Sequence, residues 1–242
     1  MKGSVPFCMR IDKFLSSHGI ASRSEAAKAA KAGLVSVNGE KVRDLSRHID
    51  PERDVVTYDG EVIMYNEYVY VMLNKPDGYI SATDDPRQKT VLELLDDRLK
   101  KRGLFPCGRL DIDTLGLLIL TDDGQTAHRL ISPKHHAEKV YKFGCANELG
   151  DDDIARLESG VDLDDGYHTL PAKVRYEGNK IGYITLTEGK YHQIKRMFAA
   201  VGNKITYLER VSFGGVVLDE SLERGEYRYL NEDEKKLLIT HN

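Results

Sequence analysis

The stretch FPCGRLDIDTLGLLILTDDG, residues 105–124, joins a charged loop to an uninterrupted apolar run. The run GLLILT is too apolar to alternate between a buried and an exposed face, so it predicts a central, buried strand. The preceding GRLDIDT has the short polar side chains that are typical of a loop. A charged loop that enters a buried strand lies at the rim of a cleft, which makes Asp111 and Asp113 candidate site residues.

Outward from this strand, short strands and helices follow one another without a regular alternation. Strands are predicted at 68–75, 117–121, 139–146, 172–177, 181–187 and 204–214, and helices at 91–103, 125–131, 151–160, 190–202 and 232–238. Strands outnumber helices, and many adjoin through links of hairpin length. Residues 65–242 therefore predict an α+β domain, with a mixed, mainly antiparallel sheet and flanking helices rather than a doubly wound parallel sheet.

Residues 10–64 predict a separate small domain of two helices followed by a short curled sheet. Ser22 and Glu25 have the spacing of a capping box ahead of an alanine-rich helix, and Gly33 suits the end of that helix. Turns of hairpin type are predicted at two dipeptides, Asn38-Gly39 and Asp59-Gly60. The side of the second helix expected to pack inward comprises Ala26, Ala27, Ala30 and Leu34.

Charge is distributed unevenly along the chain. The formal net charge is -4, which argues against binding nucleic acid by bulk attraction alone. Residues 10–47, however, contain eight basic and four acidic side chains. No apolar run approaches the roughly 18 residues that a membrane span needs, and the first residues lack the apolar core of a secretory signal. We therefore expect a cytoplasmic protein.

Cysteine and histidine spacing does not suggest a metal site. The cysteines Cys8, Cys107 and Cys145 are odd in number, far apart and in no CxxC pair, so we expect reduced thiols. His135 and His136 are adjacent, and neighbouring side chains on a strand point to opposite sides. Because no third ligand follows at a useful spacing, RNA contact or a structural role is the better interpretation of this pair, and no metal is predicted.

Three roles are open for the aspartates of GRLDIDT. A D-x-D pair can hold Mg²⁺ or Mn²⁺ with a phosphate substrate, but the sequence has no P-loop or glycine-rich cradle. Alternatively, Asp111 pairs with Arg109 while Asp113 and Thr114 cap the turn. In the third role, one aspartate is a catalytic carboxylate. The loop alone does not decide among the three.

The N-terminal segment RIDKFLSSHGIASRSEAAKAAKAGLVSVNGEKV resembles an S4 RNA-binding domain over nearly its full length. The resemblance implies binding to structured RNA by shape and backbone contacts. A basic helix face can also be an ordinary solvated surface. The residues that we expect to contact RNA are Arg10, Lys13, Arg23, Lys28 and Lys31.

The rest of the chain resembles pseudouridine synthases of the branch that carries an N-terminal S4 domain. GRLDIDTLGLLILTDDG is similar to the family signature, LNKPDGYISATDDP to its lysine-proline motif, EKVYK to its tyrosine motif, and EGKYHQIKRMFAAVGN to its final catalytic motif. Within this branch, SPKHHAEKVY, KRMFAAVGNK and GEYRYL resemble the RsuA type, which acts on 16S rRNA. The four motifs occur in the family's order, and with the S4 segment they cover almost all of residues 10–230.

The resemblance implies that Asp111 is the catalytic residue and that Asp113 supports the loop. A shielded carboxylate needs a nearby cation to stay ionised, and Lys195 is the candidate. In YHQIKRMFAAV, Lys195 is rotated about 100° from Ile194 and so lies at the margin of the apolar face; alone, it would be read as a solvated lysine. Tyr141 would be a core aromatic by pattern, and by resemblance it stacks on the target base.

Three further residues are assigned to substrate binding. Ile194 is expected to form the apolar wall of a uracil pocket as well as part of the core. Arg109 is placed to fill the space of an extruded base or to hold a phosphate, with an ion pair as its alternative. Lys75, before Pro76, is expected to orient the active-site loop or to bind a backbone phosphate.

The implied function is isomerisation of one 16S rRNA uridine, of the uridine-516 class, to pseudouridine. This chemistry needs no redox step and no cofactor. The expected partner is 16S rRNA, within an assembling small subunit, and the expected state is a monomer without membrane attachment. Two alternatives stay open: the same chemistry on a 23S rRNA uridine, and a noncatalytic S4-type RNA-binding assembly factor.

Overall fold

The computed structural model describes residues 7–132 and 135–240. These residues form two compact units. The first runs to Tyr68 and includes Leu95–Leu104, and the second comprises Val69–Leu94 and the chain from Phe105 onward. The first unit thus ends four residues after the predicted domain boundary at residue 64. It also includes Leu95–Leu104, whose helix packs on the first helix of the chain.

The first unit contains two small sheets and three helices. Ser22 accepts a hydrogen bond from the Glu25 N–H while the Glu25 carboxylate accepts one from the Ser22 N–H, which confirms the predicted capping box. The turn residues Asn38 and Asp59 have φ of 53° and 50° and are each followed by a left-handed glycine, as two-residue hairpin loops require. The elements are β1 (Met9–Arg10), α1 (Ile11–Ser17), α2 (Arg23–Lys31), β2 (Val35–Val37), β3 (Glu40–Lys41), β4 (His48–Ile49), β5 (Val56–Tyr58), β6 (Glu61–Ile63) and α3 (Asp97–Arg102).

The pairing in this unit follows the two predicted turns. Strands β3, β2, β5 and β6 form one antiparallel sheet in that order, and β1 pairs with β4. The inward side predicted for α2 differs from the observed one at three positions. Ala29 is buried beside Ala26 and Ala30, whereas Ala27 and Leu34 are exposed. The buried set has the i, i+3, i+4 spacing of one helix face, which Ala27 does not share with Ala26.

The second unit is a large sheet with helices packed on it. A short 3₁₀ helix at Val91–Leu94 precedes the segment that joins the first unit. The remaining elements are β7 (Tyr70–Lys75), β8 (Phe105–Pro106), β9 (Leu115–Thr121), α4 (Gly124–Ile131), β10 (Lys139–Cys145), α5 (Asp151–Ser159), β11 (Lys173–Gly178), β12 (Ile181–Leu186), α6 (Gln193–Ala200), β13 (Ile205–Phe213), β14 (Val216–Val217), β15 (Tyr227–Tyr229) and α7 (Glu232–Ile239).

Strand β9 lies inside this sheet, as the apolar run predicts. The strand order is β11-β12-β10-β13-β9-β7-β15, and the pairing is antiparallel except between β13 and β9. The predicted α+β class with a mixed, mainly antiparallel sheet is confirmed. Gly116 begins the buried part of β9 with φ of 93°, and a Cβ there would lie 2.4 Å from the Arg210 carbonyl oxygen. Only glycine permits this close parallel approach, which brings the 109–114 loop beside β13.

Two predicted helices have different bounds. The helix predicted at 91–103 is broken, because the Asp96 side chain accepts a hydrogen bond from the Leu99 N–H and caps a new helix, α3. The helix predicted from residue 190 begins only at Gln193, because His192 has a left-handed backbone with φ of 47°. Within the described ranges, none of the helices has both the length and the apolar character to span a bilayer.

Candidate active site

The 109–114 loop meets helix α6 through one lysine and two aspartates. Lys195 Nζ lies 2.9 Å from Asp111 Oδ2 and 2.5 Å from Asp113 Oδ1. The ammonium therefore bridges both carboxylates of the D-x-D pair. Asp111 is the less exposed of the two, with 24% of its side chain accessible against 58% for Asp113. The structural alternative for the loop is wrong on one point, because the cation beside Asp111 is Lys195.

Electrostatics in this triad favour the charged forms. Burial opposes ionisation of Asp113, but the hydrogen bond and charge of Lys195 outweigh it and lower the pKa of Asp113. Burial likewise opposes the charge on Lys195, and the two carboxylates outweigh it and raise the pKa of that lysine. At neutral pH Asp113 is thus held as a carboxylate and Lys195 as an ammonium. This ammonium lies 2.9 Å from the carboxylate of Asp111 in the cleft.

His192 is a site residue that the sequence did not reveal. Its Nε2 lies 3.6 Å from Asp111 Oδ1, on the other oxygen from the one that Lys195 contacts. The left-handed backbone at His192 turns the chain sharply into α6, and its ring stacks on Tyr191 at a centroid distance of 3.8 Å. A non-glycine residue at positive φ is uncommon and often marks a functional site. The sequence motif contained the histidine but gave no sign of this backbone.

Lys75 anchors the 109–114 loop from a buried position at the end of β7. Its side chain is fully buried, and Nζ donates to the carbonyl oxygens of Thr114 at 2.9 Å, Ile112 at 3.0 Å and Pro76 at 3.1 Å. The three N–H groups of the ammonium thus match three carbonyls. Burial lowers the pKa of Lys75 to about 8. The loop-orienting role is the one that fits this geometry; the phosphate-binding role does not, because all three N–H groups of the ammonium already donate to backbone carbonyls.

The aspartate opens onto two adjoining cavities of about 90 Å³ and about 310 Å³. Both are lined by Arg109, Asp111 and Tyr141. Ile194 is only 5% exposed and lines the smaller cavity, in agreement with a dual role in core and pocket wall. Tyr141 lies in β10 opposite Arg210 of β13, where its ring faces the same cleft. The aromatic ring, the apolar wall and the carboxylate therefore surround one space.

Arg109 lies at the mouth of both cavities and is exposed. With the residues that the structure describes it forms no ion pair, so the alternative role predicted for it is not seen. Thr114 also lines the smaller cavity, and its buried hydroxyl has no hydrogen-bond partner in the described part of the chain. The predicted turn-capping role of that hydroxyl is therefore absent. Both polar groups are free to meet a bound molecule.

Glu188 joins the segment 160–171, for which the sequence predicted no role, to the approach to α6. This carboxylate is 5% exposed and accepts hydrogen bonds from the Tyr167 hydroxyl at 2.7 Å, the Leu170 N–H at 2.9 Å and Gln193 Nε2 at 2.6 Å. Gln193 in turn accepts from the Lys190 N–H at 2.9 Å. The network fixes the turn that carries His192. It lay outside the sequence prediction because its partners come from distant segments.

Arg196 makes a second link to the same segment. It donates from Nε to Asp164 at 2.6 Å and pairs with Asp165 at 2.8 Å. Hydrogen bonds to these two carboxylates raise the pKa of Arg196. The acidic residues of segment 160–171 thus hold the outer side of α6, while Lys195 on the same helix points to Asp111.

In the first unit, four of the residues predicted to contact RNA are exposed, whereas the fifth is paired with a carboxylate. Lys13, Arg23, Lys28 and Lys31 are exposed, so their charges are available to phosphates. Arg10 instead donates to Asp12 at 2.8 Å from Nη2 and 3.1 Å from Nε, which partly neutralises its charge. The four exposed cations are therefore the stronger candidates of the predicted set.

His135 and His136 precede β10 and are not on a strand. The prediction that they point to opposite sides because they are neighbours on a strand is therefore wrong. His136 has a left-handed backbone with φ of 48°. No cluster of three metal-ligating side chains is found among residues 7–132 and 135–240. The histidines keep their predicted RNA-contact or structural role as a prediction.

Comparison with known proteins gives a consistent result. The family model described as RNA pseudouridylate synthase matches residues 69–200, and the S4 domain model matches residues 9–56. The chain is 48% identical to the uncharacterized RNA pseudouridine synthase YtzG of Bacillus subtilis (strain 168), over 95% of this chain and 98% of that protein. It is 43% identical to the ribosomal small subunit pseudouridine synthase A of Escherichia coli (strain K12), over 93% and 98%. A crystal structure of a pseudouridylate synthase, 42% identical, superimposes with a TM-score of 0.68 over 95% of this chain and 99% of that one.

Proposed function

The chain belongs to the RNA pseudouridylate synthase family, and from this premise we propose that it converts one uridine of 16S rRNA, of the uridine-516 class, to pseudouridine with Asp111 as the catalytic carboxylate. The observation that carries the proposal is the position of Asp111. Its carboxylate lies in a cleft, 2.9 Å from the ammonium of Lys195 and beside the rings and apolar walls that a uracil requires. The name of the Escherichia coli relative, which refers to the ribosomal small subunit, supports the choice of 16S rRNA.

The reaction is an isomerisation in which every non-hydrogen atom of the nucleotide is retained. The bond between N1 of uracil and C1′ of ribose breaks, the uracil rotates within the site, and C5 forms a new bond to C1′. The proton on C5 is then lost and N1 gains one. Asp111 acts near C1′ by one of two routes. In the first it attacks C1′ as a nucleophile while N1 leaves, and the bond from Asp111 to C1′ breaks when C5 attacks C1′. In the second it removes the C2′ proton to give a glycal and returns that proton to C2′ when C5 bonds to C1′.

Other residues position the carboxylate and the base. Lys195 places its ammonium 2.9 Å from the Asp111 carboxylate, and Lys75 holds the loop through the Ile112 and Thr114 carbonyls. Tyr141 stacks on the rotating uracil and assists removal of the C5 proton, and Ile194 forms the apolar wall. The mechanism therefore needs a dry, narrow space, which agrees with a smaller cavity of about 90 Å³ beside Asp111.

The target base must leave its stack to reach Asp111, at a cost of a few kcal/mol. Arg109 stands at the mouth of the cleft and fills the vacated position or holds a phosphate through its planar fork. The first unit contributes backbone contacts through Lys13, Arg23, Lys28 and Lys31. We infer that the substrate is 16S rRNA in an assembling small subunit and that the chain acts as a monomer.

The experiment that tests this proposal is deletion of the gene followed by mapping of pseudouridine in 16S and 23S rRNA. Loss of a single 16S site, restored by the wild-type gene and not by Asp111→Asn, is the expected result. Loss of a 23S site instead would move the substrate to the large subunit. Unchanged pseudouridine in both rRNAs, with altered subunit assembly, would favour the noncatalytic assembly factor.

A further inference from the structure

Two basic residues of the second unit lie beside the active site, and neither has a carboxylate partner among residues 7–132 and 135–240. Arg210 of β13 is 2% exposed and donates from Nε to the Leu117 carbonyl at 2.8 Å. Lys139 of β10 is half-buried, and its Nζ donates to the Ala137 carbonyl at 2.7 Å. No ion pair of either residue is formed with the described part of the chain. A protein that buries two cations close together normally supplies an anion for them.

The two cations share one surface of the sheet. Arg210 is the cross-strand partner of Tyr141, and Lys139 is the partner of Phe213. Both cationic groups lie over the Phe213 ring, at 4.7 Å for the Arg210 guanidinium carbon and 5.5 Å for Lys139 Nζ. The face of an aromatic ring offsets part of the cost of burying a cation. It does not supply the hydrogen-bond acceptors that the remaining N–H groups need.

Unsatisfied donors remain at this position. Arg210 Nη2 is buried and has no hydrogen-bond partner in the residues that the structure describes. Burial, and then repulsion from Arg210, lower the pKa of Lys139 to about 8. The charges of Cys107 and Glu188 raise the pKa of Lys139, but by less than burial and Arg210 lower it. An anion in contact with both groups would satisfy the guanidinium and stabilise the ammonium form of the lysine.

The adjoining cavity of about 310 Å³ provides the space. Lys139, Arg210 and Phe213 line one part of it, and Arg109 and Asp111 line another. The cavity is therefore continuous with the position proposed for the target ribose. A ribose at Asp111 carries phosphates on both its 5′ and 3′ sides, within a few bonds of C1′. The positively charged part of the cavity thus lies where the backbone of an extruded nucleotide enters or leaves.

We propose that Lys139 and Arg210 form a phosphate-binding site for a phosphodiester that flanks the target uridine. This inference rests on the proposed function, because it takes its ligand from an RNA held at Asp111. The planar guanidinium presents Nη2 to one phosphate oxygen, and the ammonium approaches another. A bidentate hold on the backbone next to the flipped nucleotide fixes the distance between C1′ and the Asp111 carboxylate.

The test combines neutral phosphate analogues with substitutions. A 16S rRNA fragment that contains the modified uridine is prepared with a single methylphosphonate at each linkage around that uridine in turn. Dissociation constants are measured with the full-length wild type, Lys139→Met and Arg210→Lys. The matched control is Lys142→Met, the same substitution on the same strand, at a residue whose side chain alternates to the other face from Tyr141.

We expect the methylphosphonate to weaken binding at one linkage much more than at the others. Neutralising it should weaken wild-type binding about 100-fold, the effect of two lost charge-assisted hydrogen bonds of about tenfold each, and should weaken binding by Lys139→Met only about tenfold, because the Arg210 contact remains. Arg210→Lys, which keeps the charge and loses the fork, should also reduce the effect of that linkage. Lys142→Met should retain the wild-type pattern. Circular dichroism and thermal unfolding check that each variant is folded.

Several outcomes would overturn the inference. If no methylphosphonate weakens binding of the wild type, the phosphate site is contradicted without any variant. It is also contradicted if the factor by which each methylphosphonate weakens binding is the same in Lys139→Met as in the wild type. The dissociation constants do not depend on turnover. A sensitive linkage in a wild type that forms no pseudouridine would therefore reject the proposed function and retain the phosphate site, whereas normal turnover with no sensitive linkage would do the reverse.

Discussion

Replacing Lys75 by methionine should separate the stability of the fold from the position of the catalytic loop. The substitution keeps the length of the side chain and removes three hydrogen bonds to carbonyls. At about 1.5 kcal/mol for each charge-assisted bond, the loss is about 4–5 kcal/mol. The charge is costly, however: burial lowers the pKa of Lys75 to about 8, and relief of this penalty returns about 3 kcal/mol at pH 7. The free energy of unfolding should fall by only about 1–2 kcal/mol.

Activity should fall much more than stability. Two of the three bonds reach the loop itself, at Ile112 and Thr114. Their loss releases about 3 kcal/mol of anchoring from the segment that carries Asp111. Since 1.4 kcal/mol corresponds to a factor of ten, kcat/KM should decrease about 100-fold while the variant remains folded.

Urea denaturation measures the stability of this variant, and release of tritium from RNA labelled at C5 of uridine measures its turnover. The control is Lys173→Met, at an exposed lysine that pairs with Glu138 on the surface and should alter neither quantity appreciably. Wild-type kcat/KM in folded Lys75→Met would refute the role of the buried lysine as the anchor of the loop. The role would also be refuted if the loss of kcat/KM were no larger than the unfolded fraction of Lys75→Met accounts for.

Three other results are expected. Between about pH 8 and about pH 10.5 the unfolded state holds the Lys75 proton that the folded state has released, so the free energy of unfolding of the wild type should rise by about 3 kcal/mol relative to Lys75→Met. Urea titrations over this window in which the two proteins change in parallel would contradict the lowered pKa of Lys75. Lys195→Met should reduce kcat about 100-fold because it removes the cation beside the catalytic carboxylate, and gel-shift titration should show little change in RNA affinity; a loss confined to affinity would count against the pairing. The double substitution Lys28→Gln, Lys31→Gln should flatten the plot of log affinity against log salt by about 1.5, at roughly 0.7–0.9 for each phosphate contact, and an unchanged slope, like that expected for Lys173→Gln, would remove both lysines from the RNA interface.

The contact between Asp111 and Lys195 illustrates what the sequence could predict. The apolar run after GRLDIDT predicted a buried strand from periodicity alone, and β9 is that strand. Periodicity also placed Lys195 at the margin of an apolar helix face. The meeting of these two residues across 84 positions followed only from the resemblance to a family, because it depends on the parallel pairing of β13 with β9.

Contacts with distant partners could not be predicted from the local sequence. A loop-orienting role was one of two roles open for Lys75, but nothing local shows that the carbonyls of residues 112 and 114 surround its ammonium. The same holds for Glu188, whose donors come from three separate positions of the chain. His192 was hidden for another reason, since its backbone enters a region where non-glycine residues are rare.

Element boundaries failed where a capping residue interrupted a good helical pattern. The apolar and charged spacing of 91–103 fits one helix, but Asp96 satisfies the N–H of Leu99 and starts α3 anew. A capping aspartate inside a helical window is recognisable in principle. Its choice between cap and helix interior is decided by packing, here by the contact of α3 with α1.

The most direct test of the account compares the same isosteric change at the two carboxylates that Lys195 bridges. Asp111→Asn and Asp113→Asn are assayed together for single-turnover formation of pseudouridine in a 16S rRNA fragment and for affinity to that fragment. The account predicts no detectable product with Asp111→Asn at near wild-type affinity, and retained turnover, within about tenfold of the wild type, with Asp113→Asn. Pseudouridine formed by Asp111→Asn, or lost only in Asp113→Asn, would contradict it.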